Sequence, residues 1–559
     1  MKYSVVDRII PCPKHINAKG GYSFYKNRIK VDLKVPETEM IKIAYDMLDS
    51  FCTLGHIKPD FVITFRKIDE HADTDRRLDK CKTADQAYII KPVLDSGVYA
   101  GLDLMAYTDM GLYYAASTLY QTIEELNDKE VDIPFIDVVD WPTVAYRGLF
   151  LGDYLKNVKN TSLLKYNALD DVYNTKSREK KNDIYVECNK YGITVFTALF
   201  SWSDSEDAIR KMIRQENKNN ILFWINDDAD ENELFEETGK LIEIFRDLKK
   251  TDPDLKMGIV TNFKGEKVFE KLNKLTVPEG FLVSYCDKNK TYDTNVKDIV
   301  APSMADYSKD VGAFGIYPLV AFDEKAFFPW SAPEFLQYRC SEFARVKVNK
   351  VMGFSPFACS FNRFNITALA EWLWNSRGRN TVDFIRAYSY REDLDFDKFE
   401  NFLYYISFAS WSLQRSGFIQ CITEDEINLK DLKAFPRVNQ MISDAYKAMK
   451  IAEGLSNKSY AAEAKATYCS IGSFIFTKKL LDLISHKKYN KKKFAAYRAK
   501  LEEAAKSVYE ALMEWAELMK VNEGAYETFV YDTAKAFLYL PKHIDILAGV
   551  TQENEGAVN

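Results

Sequence analysis

Between residues 145 and 375 the chain passes eight times from a short apolar run to a polar or helix-like stretch. The runs are AYRGLFLG (145–152), SLLKYNAL (162–169), ITVFTALF (193–200), NILFWIN (220–226), KMGIVTNF (256–263), GFLVSYCD (280–287), GAFGIYPLVAF (312–322) and VMGFSPFA (351–358). Several lack the polar/apolar alternation of a strand with one wet face, as strands buried on both faces do. Helical spacing fills gaps such as ELFEETGKLIEIFRDLKK (233–250) and APEFLQYRCSEFARVKV (332–348). Eight repeats of this kind predict a (β/α)8 barrel, and an open doubly wound sheet is the alternative. The second repeat is the least regular, and KYNALDDVYN reads mostly as loop.

The flanks differ from this repeat. Residues 1–138 mix helical spacing in TEMIKIAYDMLDSF (38–51) and DMGLYYAASTLYQTIEEL (109–126) with strand-like KPDFVITFRKI (58–68) and QAYIIKPVL (86–94), with Asp109 as a candidate cap. That predicts a small α/β domain. The barrel is expected over 139–378. Over 379–559, AAEAKATYCSIGSFIFTKKLLDLI and FAAYRAKLEEAAKSVYEALMEWAELMK carry apolar residues three and four apart, which predicts a helical domain. Such a long amphipathic stretch suits a homodimer interface as well as a docked bundle. The fold class expected is therefore α/β: a TIM barrel with a small N-terminal α/β domain and a C-terminal helical domain.

Charge and motifs remove several function classes. Lys+Arg is 76 against 82 Asp+Glu, a net charge of −6, so a nucleic-acid partner is not expected. Neither GxxxxGK[ST] nor GxGxxG occurs. The five histidines form no HExxH, and no metal or other cofactor is expected. Nine cysteines lie far apart with no CxxC, which fits thiols in a reducing compartment. The start MKYSVVDRIIPCPKH holds no signal-peptide run and no stretch is long and apolar enough to span a membrane, so a cytoplasmic protein is expected, although a trimmed secreted chain would look the same.

Barrel enzymes work at the C-terminal ends of their strands. Those ends offer Asp170 and Asp171 after the second run, Asn226, Asp227 and Asp228 after the fourth, and Asn262 after the fifth. Tyr285 ends the sixth. Tyr317, Asp323 and Trp330 follow the seventh, and Trp374 and Asn375 lie beyond the eighth. Acids and amides bind hydroxyls, and aromatic faces cover the apolar side of a pyranose, so a carbohydrate or glycoconjugate is the expected partner. Glycoside hydrolysis needs two acidic roles. Adjacent strand residues point to opposite faces, so Asp227 and Asp228 share a cavity only where the chain leaves strand geometry. Adjacent acids suit substrate-assisted hydrolysis, in which the sugar's 2-acetamido oxygen attacks C1 while one acid orients the acetamido group and the other protonates the leaving oxygen. Asp170–Asp171 is the rival pair, and Glu371 a reserve acid or a structural residue. Arg147 is either a sugar ligand or part of a buried ion pair under the barrel. Trp330 either lines the pocket or packs a loop.

GLYYAASTLYQ (111–121), DWPTVAYRG (140–148), the acid pair 227–228, IYPLVAFD (316–323) and AEWLWN (370–375) together resemble the β-N-acetylhexosaminidases of glycoside hydrolase families 20 and 84, family 84 more closely. The resemblance implies a retaining exo-β-N-acetylglucosaminidase. Asp227 would orient the acetamido group, Asp228 would be the acid/base, Tyr285 would lie beside the reacting centre and Asp323 would bind sugar hydroxyls. Ala229 and Ile316 depart from the family pattern, and FTALFSWSD (196–204) lacks its Gly and Lys.

Overall fold

The structure is a computed structural model. It describes residues 3–53, 58–69, 75–78, 81–150, 158–172, 185–199, 207, 210, 220–225, 231–262, 268–272, 275–287, 300–311, 314–322, 327–354, 362–423, 427, 429, 432, 437–485, 490–519 and 525–549.

Two compact units divide the chain. One comprises residues 1–318, 334–354 and 366–391, and the other 319–333, 355–365 and 392–559. The first begins with a seven-stranded mixed sheet of β1 (His15–Tyr25), β2 (Ile29–Leu33), β3 (Phe61–Lys67), β4 (Tyr88–Asp95), β5 (Val98–Ala106), β6 (Glu124–Glu125) and β7 (Glu130–Asp140). Its order is β1-β7-β4-β5-β3-β2, with β6 against β7. Two helices, Glu39–Asp49 and Asp109–Tyr120, contribute Ile41, Leu48, Leu112 and Leu119 to its core. Threonines cap both. Thr38 and Thr108 sit in extended backbone and accept from Ile41 N and Gly111 N, as N-cap hydroxyls do. Asp109, the expected cap of the second helix, is instead its first helical residue and pairs with Lys67 at 2.6 Å.

Eight parallel strands then close into a barrel: β8 (Tyr146–Phe150), β9 (Ala168–Val172), β10 (Thr194–Leu199), β11 (Asn220–Trp224), β12 (Lys256–Asn262), β13 (Phe281–Asp287), β14 (Phe314–Pro318) and β15 (Lys350–Phe354). Every residue of β14 and β15 is buried, as the unbroken apolar runs require. The segment ALDDV, expected to be loop, is strand β9, pairing with β8 and β10. Its two aspartates fit a buried strand because each has a hydrogen-bonded partner, described below. Gly148 is fixed by crowding: a β-carbon there would run into the carbonyl oxygen of Ala168 and the Met352 side chain.

The second unit holds helices Phe396–Arg415, Phe418–Thr423, Val438–Ala452, Ser459–Ser485, Lys491–Leu518 and Ala525–Leu547. Among the described residues no helix is long and apolar enough to cross a membrane.

Candidate functional site

Alternation along the barrel strands sorts side chains between lumen and outer face. Phe281 of β13 packs on Phe245 of the helix Glu231–Lys249 at 5.6 Å, and Phe314 of β14 on Phe269 of the helix Val268–Leu272 at 5.4 Å. Those positions face outward, so Tyr317 faces the lumen. Tyr285 shares the outward register of Phe281 and also meets Phe269, at 6.4 Å. That register turns the Tyr285 ring toward the helix Val268–Leu272, whereas a place beside a reacting centre in the lumen would need the opposite register.

At the C-terminal strand ends the lumen is aromatic. Phe150, Trp224 and Phe354 end β8, β11 and β15. The Phe150 ring lies 4.7 Å from that of Trp224 and 5.0 Å from that of Phe354, and Trp224 lies 5.3 Å from Tyr317 at 76°. Trp224 is only partly buried, so this layer gives the barrel mouth an apolar floor of the kind that accepts the flat face of a pyranose.

Beneath it lies an ionic cluster. Lys350 Nζ donates to Asp170 Oδ1 at 3.0 Å and to the Tyr317 hydroxyl at 3.0 Å, and that hydroxyl donates to Asp170 Oδ2. Lys350 Nζ also sits 4.0 Å from the Phe196 ring centroid, a cation–π distance. All three are fully buried. Burial raises the Asp170 carboxyl pKa and lowers that of the Lys350 ammonium, and their attraction opposes both effects. Burial and the neighbouring Asp170 lift the Tyr317 phenol well above its usual range. Asp171, one residue on, points the other way and accepts from Tyr185 at 2.8 Å. The rival acid pair is thus split across the sheet, with neither member offered to a substrate in the lumen.

Asp227, Asp228 and Asp323 lie outside the described residues, as do Trp202 and Asp204. Of Asn262 only the backbone is described, in register with Cys286. Trp330 is buried in the second unit, where its carbonyl accepts from Asn365 Nδ2 at 2.8 Å.

The most specific sequence words fall elsewhere. Arg147 is the second residue of β8, at the opposite end of the barrel from the aromatic layer. Its guanidinium donates to Lys165 O at 2.8 Å, Val144 O at 2.6 Å and Gln86 Oε1 at 2.9 Å, and lies 4.9 Å from the Trp374 ring centroid. That spends it on structure, with carbonyls in place of the carboxylate of an ion pair. Asp140 accepts from Lys14 N, Tyr88 Oη and Trp374 Nε1 at 2.9, 2.6 and 2.8 Å, with Lys165 Nζ at 3.4 Å. Asn375 donates to the carbonyls of Cys12 and Pro13. Glu371 accepts from Cys12 N at 2.9 Å and pairs with Arg379 at 3.4 Å. The DWP, RG and WN words therefore tie the small domain to the barrel. The hydrogen bonds of Arg147 and Asn375, expected as sugar contacts, go to this junction.

Sequence reasoning missed Lys350. Its signal was a lysine opening an otherwise apolar run, in NKVMGF, with no neutral explanation inside a closed barrel. A depression of about 1000 Å³ opens where the strands begin, among Ile193, Asn220, Leu255, Gly280 and Asn349. This is the end of the barrel away from the aromatic floor, the face that serves stability in such folds. Among the described residues no group of three or more His, Cys, Asp or Glu is placed to hold a metal.

No protein-family model matches the sequence, and no curated protein matches it. Solved structures do. A family 89 glycoside hydrolase from Clostridium perfringens, in complex with 2-acetamido-1,2-dideoxynojirmycin, aligns at 11% identity over 93% of this chain and 76% of that one, with a TM-score of 0.57. CpGH84B aligns at 12% identity over 95% and 99% of the two chains, with a TM-score of 0.53. The β-N-acetylhexosaminidase from Bacteroides fragilis NCTC 9343 aligns at 13% identity over 69% and 95%, with a TM-score of 0.50. The chain has the fold of the β-hexosaminidase-like glycoside hydrolases.

Proposed function

We propose that this chain is a retaining exo-β-N-acetylglucosaminidase or hexosaminidase that uses the 2-acetamido group of its substrate. The observation that carries the reading is the fourth barrel strand: β11 ends in the lumen-facing Trp224, just ahead of the acid pair 227–228. The shared fold with hexosaminidase-like hydrolases supports the substrate class.

On this reading Asp227 accepts the acetamido N–H and aims its carbonyl oxygen at C1. That oxygen bonds to C1 as the C1–O glycosidic bond breaks, and Asp228 gives its proton to the departing oxygen. Asp228 then takes a proton from water, which adds to C1, reopens the oxazolinium ring and leaves the anomeric configuration unchanged. Two neighbouring carboxyls resist double ionisation, which keeps one protonated for the first step. On this reading the two acids share one cavity, which adjacent strand residues do only where the chain leaves strand geometry. Asn262 is assigned to the sugar hydroxyls.

Aryl glycosides, N-acetyl-β-glucosaminide and N-acetyl-β-galactosaminide among them, test this against the wild type and Asp228→Asn. Hydrolysis of an acetamido sugar by the wild type, lost in the variant with binding retained, is expected. Turnover only of sugars without an acetamido group would replace the reading with a carboxylate nucleophile about 5 Å from the acid. Binding without any turnover would make the chain a carbohydrate-binding barrel.

A further inference from the structure

We propose that Lys350, Asp170 and Tyr317 form a positioning unit that fixes the Trp224 indole at the barrel mouth as the floor of the substrate site. The assignment of that floor to a sugar rests on the functional reading above; the positioning does not. Tyr317 belongs to both layers of the lumen. Its hydroxyl is held by Lys350 and Asp170, and its ring meets the Trp224 ring at 5.3 Å in an edge contact. A tyrosine tied at its hydroxyl has no freedom to tilt, so the tie at the bottom of the ring sets the surface on which the indole rests.

The three residues come from three strands, β15, β9 and β14, and their placement is built for. Beside the cluster Gly315 is fixed by crowding, since a β-carbon there would overlap Ser284 Oγ, while it would meet Lys350 Cβ only at an ordinary contact distance of 3.4 Å. Branched aliphatic residues usually fill this part of a barrel, and they would pack without the desolvation cost of a buried lysine and aspartate. What the polar cluster supplies that they could not is a directional hold on one ring. A site of this kind needs its supporting side chains locked to a fraction of an ångström.

Two variants and one spectroscopic subtraction test it. Tyr317→Phe keeps the ring and removes the hydroxyl. The double variant Asp170→Asn with Lys350→Met removes both charges together, so that neither is left buried alone. Near-ultraviolet circular dichroism of each protein, minus that of the same protein carrying Trp224→Phe, isolates the Trp224 band. Both variants are expected to weaken or lose that band, and to lower kcat on an aryl N-acetylglucosaminide about tenfold or more, with KM little changed, as displacement of a reacting geometry does. An unchanged band overturns the proposal whether or not kcat falls, because the cluster would then act on something other than Trp224 or only on the core. A wild type inactive on every acetamido sugar sinks the functional reading alone, and the band comparison still decides the positioning.

Discussion

Asp140 shows what a single residue contributes and how far its identity could be read. It is fully buried and gathers a backbone N–H, a tyrosine, an indole and the Lys165 ammonium. The words that hold it and its partners, DWP, YRG and WN, stand out in the sequence. Their job did not, because a motif gives residue types but not the end of the strand on which they sit. Arg147 opens β8 rather than closing it, and so serves the junction instead of the mouth. Asp140→Asn keeps the shape but leaves Lys165 without its carboxylate. Removing one partner of a buried pair costs about 3–5 kcal/mol. Burial already draws the Lys165 ammonium down to about 8, and losing Asp140, which opposes that shift, lets it shed its proton near neutral pH. The lower end, about 3 kcal/mol, is therefore expected. Urea unfolding measures it, and a loss below about 1 kcal/mol would mean the network is replaceable by neutral hydrogen bonds.

At the scale of elements, the barrel was legible because eight apolar runs at regular intervals admit few other folds. What failed was register and the content of one strand. Tyr285 lies near the end of the sixth run, yet a residue there faces the lumen or the helices according to parity, and Phe281 on Phe245 sets the parity of Tyr285 outward. ALDDV looked like loop because its acids carry no sign of partners 180 residues away in Lys350 or 14 residues on in Tyr185. The catalytic role proposed for 227–228 rests on the sequence, since those residues lie outside the described ones. Element ends give a sharper test. Thr108 closes the start of the helix Asp109–Tyr120 by accepting from Gly111 N, and its own hydroxyl donates to Asp85 O. Thr108→Ala should cost about 1 kcal/mol in chemical denaturation, whereas Thr108→Ser, which keeps the acceptor, should cost only a fraction of that. Equal losses in the two variants would show that the methyl group, not the cap, matters.

The molecule as a whole consists of two compact units, each with its own buried core, so unfolding as a single two-state step is not expected. The second unit contains a group that makes its stability depend on pH. Glu463, on the helix Ser459–Ser485, is fully enclosed; Ser331 Oγ donates to its Oε2 at 3.1 Å, and among the described residues its Oε1 has no hydrogen-bond partner. Burial, opposed only by the Ser331 contacts, lifts its carboxyl from 4.5 to about 8. Below pH 4.5 the folded and unfolded chains both carry the proton. Between 4.5 and about 8 only the folded chain does, so the stability tied to that proton is present in acid and is lost as the pH climbs through the window. Holding one proton across the whole window is worth roughly 4–5 kcal/mol, at about 1.4 kcal/mol for each pH unit crossed. Calorimetry at pH 5 and pH 8 should show one transition move to lower temperature at the higher pH. Glu463→Gln, which cannot ionise, should hold that transition in place between the two, so that the variant gains on the wild type as the pH rises from 5 to 8. A variant whose transition still falls with pH as the wild type's does would place the titrating group elsewhere in the unit.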